Sequence, residues 1–147
     1  IIRAARDVNY AQRVWVVDRL QEELKILKGK HIALLGFSFK PNTDDLRDAP
    51  SLDISKLLVQ RGAIVRAHDP VALENARSQY PKLGITYSDN LEFTLDEADA
   101  IVLVTEWPIY RELNWEAFAP VPVIDGRNFL DREHLTKLGF HVVGIGK

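Results

Sequence analysis

The feature that most constrains this chain is the alternation of short, uninterrupted apolar runs with helical segments. The runs are His31–Gly36, Ala63–His68, Ala100–Thr105, Val121–Asp125 and His141–Ile145, with Ile85-Thr86-Tyr87 as a shorter candidate. A strand that meets solvent on one face alternates apolar and polar residues, whereas a strand that is apolar throughout is covered on both faces. Separated by helices, such runs predict a parallel sheet with helices on both sides, an α/β fold of Rossmann-like type. Ligands of such folds bind outside the carboxyl ends of the strands. Those ends carry Gly36 to Arg47, Asp69, Thr105 to Trp107, and Asp125 to Arg127.

The connecting segments read as helices with identifiable ends. Pro50 suits a first turn, Leu52, Ile54, Leu57 and Leu58 form a buried side, and Gly62 stops the helix. Val71 to Gln79 is helical in composition and ends before Pro81. Ser88, Asp89 or Asn90 caps a short helix around Leu91 to Glu97, and Asp131 caps Arg132 to Leu138. Trp107 to Phe118 is a mixed helix-and-turn stretch. Ahead of the first strand, Ile1 to about Leu27 contains neither Gly nor Pro. Ala4, Val8, Ala11 and Trp15, then Val17, Leu20, Leu24 and Leu27, recur at three- and four-residue steps. This predicts one amphipathic helix of roughly 40 Å, closed by Lys28-Gly29-Lys30. It is longer than a small domain needs, so residues 1–28 read as a connecting helix whose amino-terminal half packs on something outside this sequence, and 29–147 as the ligand-binding domain. An ordinary packing helix is the plainer alternative.

Composition narrows the function. The net charge of −2 offers no polybasic field, so neither nucleic acid nor a membrane surface is an expected partner. No apolar run approaches the roughly 20 residues that span a bilayer, and no signal-peptide pattern is present, which reads as a cytoplasmic chain. Cysteine is absent, which excludes a disulfide, a thiolate metal site and a cysteine nucleophile within these residues. Methionine is absent too and the first residue is Ile1, so a piece of a longer protein is expected. The four histidines lie apart in sequence, and no metal site is expected. After the first strand stands Gly36-Phe37-Ser38-Phe39-Lys40-Pro41, where a dinucleotide fingerprint needs small residues for backbone to approach pyrophosphate. This half of a Rossmann-like fold is therefore not the principal NAD site.

Among charged residues, Lys40 and Arg127 each follow a strand, on loops that a parallel sheet brings to one edge. Together they suit a diphosphate clamp, Arg127 as a planar fork and Lys40 as a point charge; the alternative is two ordinary solvated cations. Arg47 lies among Asp44, Asp45 and Asp48 and reads as a loop-ordering ion pair or a contact to a nucleotide on a neighbouring domain. Asp69 sits where Rossmann domains often place a ribose-binding acid, but without the glycines it reads better as a cap for the helix from Val71. Asp125 orients Arg127 or caps the turn after it. Trp107 and Tyr110 either line a pocket or join the core.

The run Phe39-Lys40-Pro41-Asn42-Thr43-Asp44-Asp45-Leu46-Arg47-Asp48-Ala49-Pro50-Ser51 resembles the signature of the carboxy-terminal domain of the UDP-glucose/GDP-mannose dehydrogenase family. His68-Asp69-Pro70, Thr105-Glu106-Trp107 and Asp125-Gly126-Arg127-Asn128 follow in the order of that family, and Val8-Asn9-Tyr10-Ala11-Gln12 resembles its central helix. The resemblance implies that NAD is held mainly by an amino-terminal domain and that a middle domain carries a catalytic cysteine. The domain at hand then binds the nucleotide sugar. It implies oxidation of a sugar's primary alcohol to a carboxylate in two hydride transfers, with no catalytic residue in these 147 positions. Phe39, Lys40 and Arg127 are then substrate-binding, and Arg47 reaches the cofactor across a cleft. Members that convert UDP-glucose to UDP-glucuronate, in polysaccharide biosynthesis, are the nearest expectation. Members acting on UDP-N-acetyl-mannosamine or GDP-mannose, and a non-catalytic nucleotide-binding or dimerisation module, are the alternatives. The family's dimer implies a homodimer through the amino-terminal helix.

Overall fold

The computed structural model describes residues 2–146. Helix α1, Ile2–Leu24, leads into β1, His31–Leu35, and α2, Pro50–Gln60. Next come β2, Ile64–His68; α3, Leu73–Gln79; and the two-residue edge strand β3, Thr86–Tyr87. The second half holds α4, Leu91–Leu95; β4, Ala100–Leu103; α5, Pro108–Arg111; and a 3₁₀ turn, Trp115–Ala117. It closes with β5, Pro122–Asp125; α6, Arg132–Lys137; and β6, His141–Gly144. All strands pair in parallel in the order β3-β2-β1-β4-β5-β6. The order reverses between β1 and β4, which is where such sheets open a crevice at their carboxyl ends.

Alternate side chains of each strand feed two cores. Ile32, Leu34, Val65, Ala67, Val102, Val104, Ile124 and Val143 point to one side, beneath α1, α2 and α3. Ala33, Leu35, Ile101, Leu103, Val123 and Val142 point to the other, against Trp107, Tyr110, Trp115, Leu135 and Phe140. The continuous apolar runs of the sequence are this two-sided burial. Local chemistry sets the helix ends as expected: Pro50 opens α2, Asn90 accepts from the Phe93 amide at the start of α4, and Asp131 accepts from the His134 amide at the start of α6.

Helix α1 is shorter than its sequence period suggests. It ends at Leu24, where Lys25 takes a left-handed φ of 72°, a conformation usually left to glycine. Leu27 still reaches the core, carried there by the turn into β1 rather than by a further helical turn. Ile1, where the expected helix begins, lies outside the described residues. The two halves of α1 differ. Val16, Val17 and Leu20 are buried in the same core as β4 and β5, and Arg61 ties α2 to Asp18 and Gln21. The connections β4 to β5 and β5 to β6 place their helices on the opposite side, so α1 supplies cover that this side otherwise lacks. Towards the amino terminus, Val8, Tyr10 and Trp15 remain well exposed, Val8 at 60%.

Leu20→Ala should therefore destabilise the fold by about 3 kcal/mol, the usual cost of a buried leucine cavity. Val8→Ala should shift it by no more than about 0.5 kcal/mol. Urea unfolding of both variants reads this; equal costs would mean that α1 does not belong to the core.

Candidate functional site

The loop after β1 is held from behind by one buried carboxylate. Asp69 Oδ2 accepts the backbone N–H of Phe37 (2.7 Å), the N–H of Ser38 (3.0 Å) and the indole N–H of Trp107 (3.1 Å). Its Oδ1 accepts the N–H groups of Val71 and Ala72, both at 2.8 Å, ahead of α3. Asp69 thus caps the segment before α3, as expected, and also joins the carboxyl ends of β1, β2 and β4. Three more backbone groups of the loop are also taken. Ser51 Oγ donates to the Phe37 carbonyl, Thr105 Oγ1 to the Ser38 carbonyl (2.7 Å), and the Phe39 N–H to the Asp45 carbonyl (2.8 Å). Gly36 makes the approach possible: its φ is +92°, and a Cβ there would overlap Thr105.

This arrangement decides how the turn meets a dinucleotide. In a pyrophosphate-binding turn the free amides after the first strand face the phosphates and a helix starts at once. Here the Phe37 and Ser38 amides already donate to an internal carboxylate, and α2 starts only at Pro50. Phe37 is buried edge-to-face against Tyr87, with ring centroids 5.5 Å apart. The turn does not fit the pyrophosphate of NAD, in agreement with its missing glycines.

A cleft of about 300 Å³ opens beside this loop, at the low end of the size range of small-ligand sites. Phe39 and Arg127 line it, together with Val104, Gly126 and Ile145 from the strand ends. Helix α2 contributes Pro50 and Ile54, and α1 contributes Asn9, Gln12, Arg13 and Val16. Phe39 stands half-exposed on a backbone that is fixed behind it. The Arg127 side chain is held by Glu106, Nε to Oε2 at 2.6 Å and Nη2 to Oε1 at 3.3 Å. Its backbone N–H donates to Asp125 Oδ1, while Asp125 Oδ2 accepts from the Phe129 and Leu130 amides. Asp125 therefore fixes the turn that carries Arg127. Arg13 was not legible as a site residue; it lines the cleft while its guanidinium bonds Asp53 (2.5 Å) and the Asp48 carbonyl (2.7 Å).

Lys40 is exposed next to Phe39, and its ammonium makes no ion pair among the described residues. It does not line the cleft with Arg127. Arg47 is farther out, its side chain 90% exposed and chelated to Asp45 (2.9 Å). That contact, with the charges of Arg47 and Lys40 behind it, holds the Asp45 carboxyl down at about 2. Trp107 and Tyr110 are core residues rather than pocket walls. The Tyr110 hydroxyl lies 2.9 Å from Nδ1 of His68 and donates to the His68 carbonyl. Burial pushes the Tyr110 phenol up and the His68 imidazole down, the latter partly opposed by the Asp69 and Asp89 carboxylates. Among the described residues no cluster of metal-ligating side chains occurs, and no helix is long and apolar enough to cross a membrane.

Two predictions come from the buried cluster. Asp69→Asn keeps the shape of the side chain but removes its negative charge and turns one acceptor into a donor facing other donors. It should cost about 2–4 kcal/mol in thermal or urea unfolding, and a neutral effect would show that the carboxylate does not organise the loop. His68 is held neutral by burial, so the unfolded chain takes up its proton first as pH falls. Stability from this residue is full above its ordinary value of 6.5 and declines as pH drops below it towards the lowered native value. Urea midpoints between pH 5 and 7.5 should fall with acid less steeply in His68→Gln than in the parent; identical slopes would contradict this.

Known proteins are similar to this chain in sequence and in fold. The model of the UDP-glucose/GDP-mannose dehydrogenase family, UDP binding domain, matches residues 33–132. A UDP-glucose 6-dehydrogenase of Rickettsia felis is 39% identical over 99% of this chain and 34% of its own length. The UDP-glucose 6-dehydrogenase TuaD of Bacillus subtilis is 36% identical over 100% of this chain and 32% of its own. A solved UDP-glucose dehydrogenase from the archaeon Pyrobaculum islandicum superposes with a TM-score of 0.78 at 36% identity, covering 86% of this chain and 28% of that one. The chain thus spans about a third of the length of the curated relatives it matches.

Proposed function

Because the chain belongs to the UDP-glucose/GDP-mannose dehydrogenase family, we propose that it forms the nucleotide-sugar-binding part of an NAD-dependent UDP-glucose 6-dehydrogenase. The observation that carries this is the meeting of Phe39 and Arg127 in one cleft at the carboxyl edge of the sheet. The names of these relatives, all UDP-glucose dehydrogenases, favour UDP-glucose as the sugar nucleotide.

In this reading the chain binds and orients. Phe39 offers an aromatic face on a fixed backbone, Arg127 offers donors inside the cleft, and Lys40, which makes no ion pair among the described residues, offers a positive charge just outside it, suited to a diphosphate. Conversion of UDP-glucose to UDP-glucuronate removes two hydrides and adds one water oxygen. It needs a hydride acceptor and a nucleophile to hold the aldehyde-level carbon. This sequence has no cysteine, and its first turn is filled by Asp69, so both requirements fall to other parts of a larger protein. Arg47, outermost on the loop, would face a cofactor held there.

Calorimetric titration of this chain should show UDP and UDP-glucose bound in preference to GDP. Arg127→Ala should weaken UDP binding by about 1.5–3 kcal/mol, tenfold or more. With NAD and UDP-glucose, the chain alone should form no NADH. A preference for GDP would move the assignment to a GDP-sugar enzyme. Absence of binding to all of them would leave a structural module, and NADH formation would refute the division of labour.

A further inference from the structure

Arg127 enters the cleft already paired. Glu106 holds its Nε–Nη2 edge with both carboxylate oxygens, while Nη1 has no hydrogen bond among the described residues. Arg127 lines the cleft and Glu106 does not, so the carboxylate backs the guanidinium by its Nε–Nη2 edge without itself forming the cleft wall. The other arginine of the cleft, Arg13, is also paired, through one contact from Nη1 to Asp53, while its Nη2 donates to the Asp48 carbonyl. Asn9 and Gln12 add uncharged amides, and Val16, Ile54, Phe39, Val104 and Ile145 make the remaining wall largely apolar. The cleft thus contains two guanidinium groups and almost no uncompensated charge. The unpaired cation nearby, Lys40, stands outside it.

A charge-compensated guanidinium is a poor phosphate clamp. A phosphate brought to it also meets the partner carboxylate, and the two anions repel. A neutral carbonyl or hydroxyl loses far less to that carboxylate than a phosphate does and still gains a well-aimed donor. We propose that Glu106 is a positioning residue that makes Arg127 a reader of the uncharged acceptors of the nucleoside, leaving the diphosphate to Lys40. This rests on the nucleotide-sugar reading above and divides its two cations between the two halves of the ligand. Glu106 sets both the direction of the fork and the specificity of the cleft.

NMR titrations of the 147-residue chain with uridine, with UDP and with inorganic pyrophosphate test this, since they read weak binding and report folding in the same spectra. In the parent, uridine should bind and pyrophosphate should bind more weakly than UDP. Glu106→Ala should weaken uridine by about tenfold and at the same time tighten pyrophosphate, because the fork is released and its charge uncovered. Glu106→Gln, which keeps an acceptor but not the charge, should lose less uridine affinity and gain as much for pyrophosphate. A merely structural role would move both ligands in the same direction. Unchanged uridine binding in Glu106→Ala, or parallel loss of uridine and pyrophosphate, would overturn the proposal while leaving the UDP-binding reading intact. Failure of the parent to bind either uridine or UDP would overturn both.

Discussion

The carboxylate of Asp69 is the interaction on which the ligand edge of this fold depends. Five N–H groups from three chain segments converge on its two oxygens. A buried anion is tolerated only when its lone pairs are filled, and here the filling groups are the backbone ends that a Rossmann-like sheet must otherwise pair with something. In a dinucleotide-binding half that something is a pyrophosphate. Here it is a side chain of the protein itself, so the first loop is ordered without a ligand. The cost is the loss of the dinucleotide site; the gain is a rigid backbone from which Phe39 and Lys40 project.

A second constraint comes from the parallel connections. They put α5 and α6 on one side of β4, β5 and β6, and the opposite side needs a cover that no later helix supplies. The second half of α1 supplies it through Val16, Val17 and Leu20. The same placement brings Asn9, Gln12 and Arg13 to the cleft wall. A helix that reads as a connector is thus also a structural part of the ligand edge, and its orientation is pinned laterally by Arg13 to Asp53 and by Arg61 to Asp18.

Much of this architecture was legible in the sequence. The strand limits lie within one or two residues of the apolar runs, because burial on both faces writes a continuous signal. Pro50 and Asp131 marked helix starts because each acts through its own local chemistry, and of the three candidate caps Ser88, Asp89 and Asn90 the structure uses Asn90. Lys25 did not mark the end of α1, since a lysine in a left-handed conformation has no compositional cue. The larger role of Asp69 was hidden for a different reason. Its partners Phe37 and Ser38 donate through backbone amides more than thirty positions away, and an amide has no side-chain identity to read. Glu106 and Arg127 lie 21 positions apart on different strand ends, so their pairing follows only from the order of β4 and β5 in the sheet. Lys40 and Arg127 stood out by their places after strands and Arg47 by its acidic neighbours, while their expected binding roles, and Phe39, came from the family resemblance; the structure puts Phe39 and Arg127 at the cleft and Lys40 and Arg47 outside it.

The central claim is that the nucleotide-sugar ligand occupies the cleft beside Arg127 while Asp69 keeps the amides of the first turn. A crystal structure of the chain with UDP tests it most directly. The account predicts the nucleoside between Phe39 and Arg127, with the Phe37 and Ser38 N–H groups still donating to Asp69. A phosphate seated on those two amides, with the Asp69 carboxylate displaced, would contradict it.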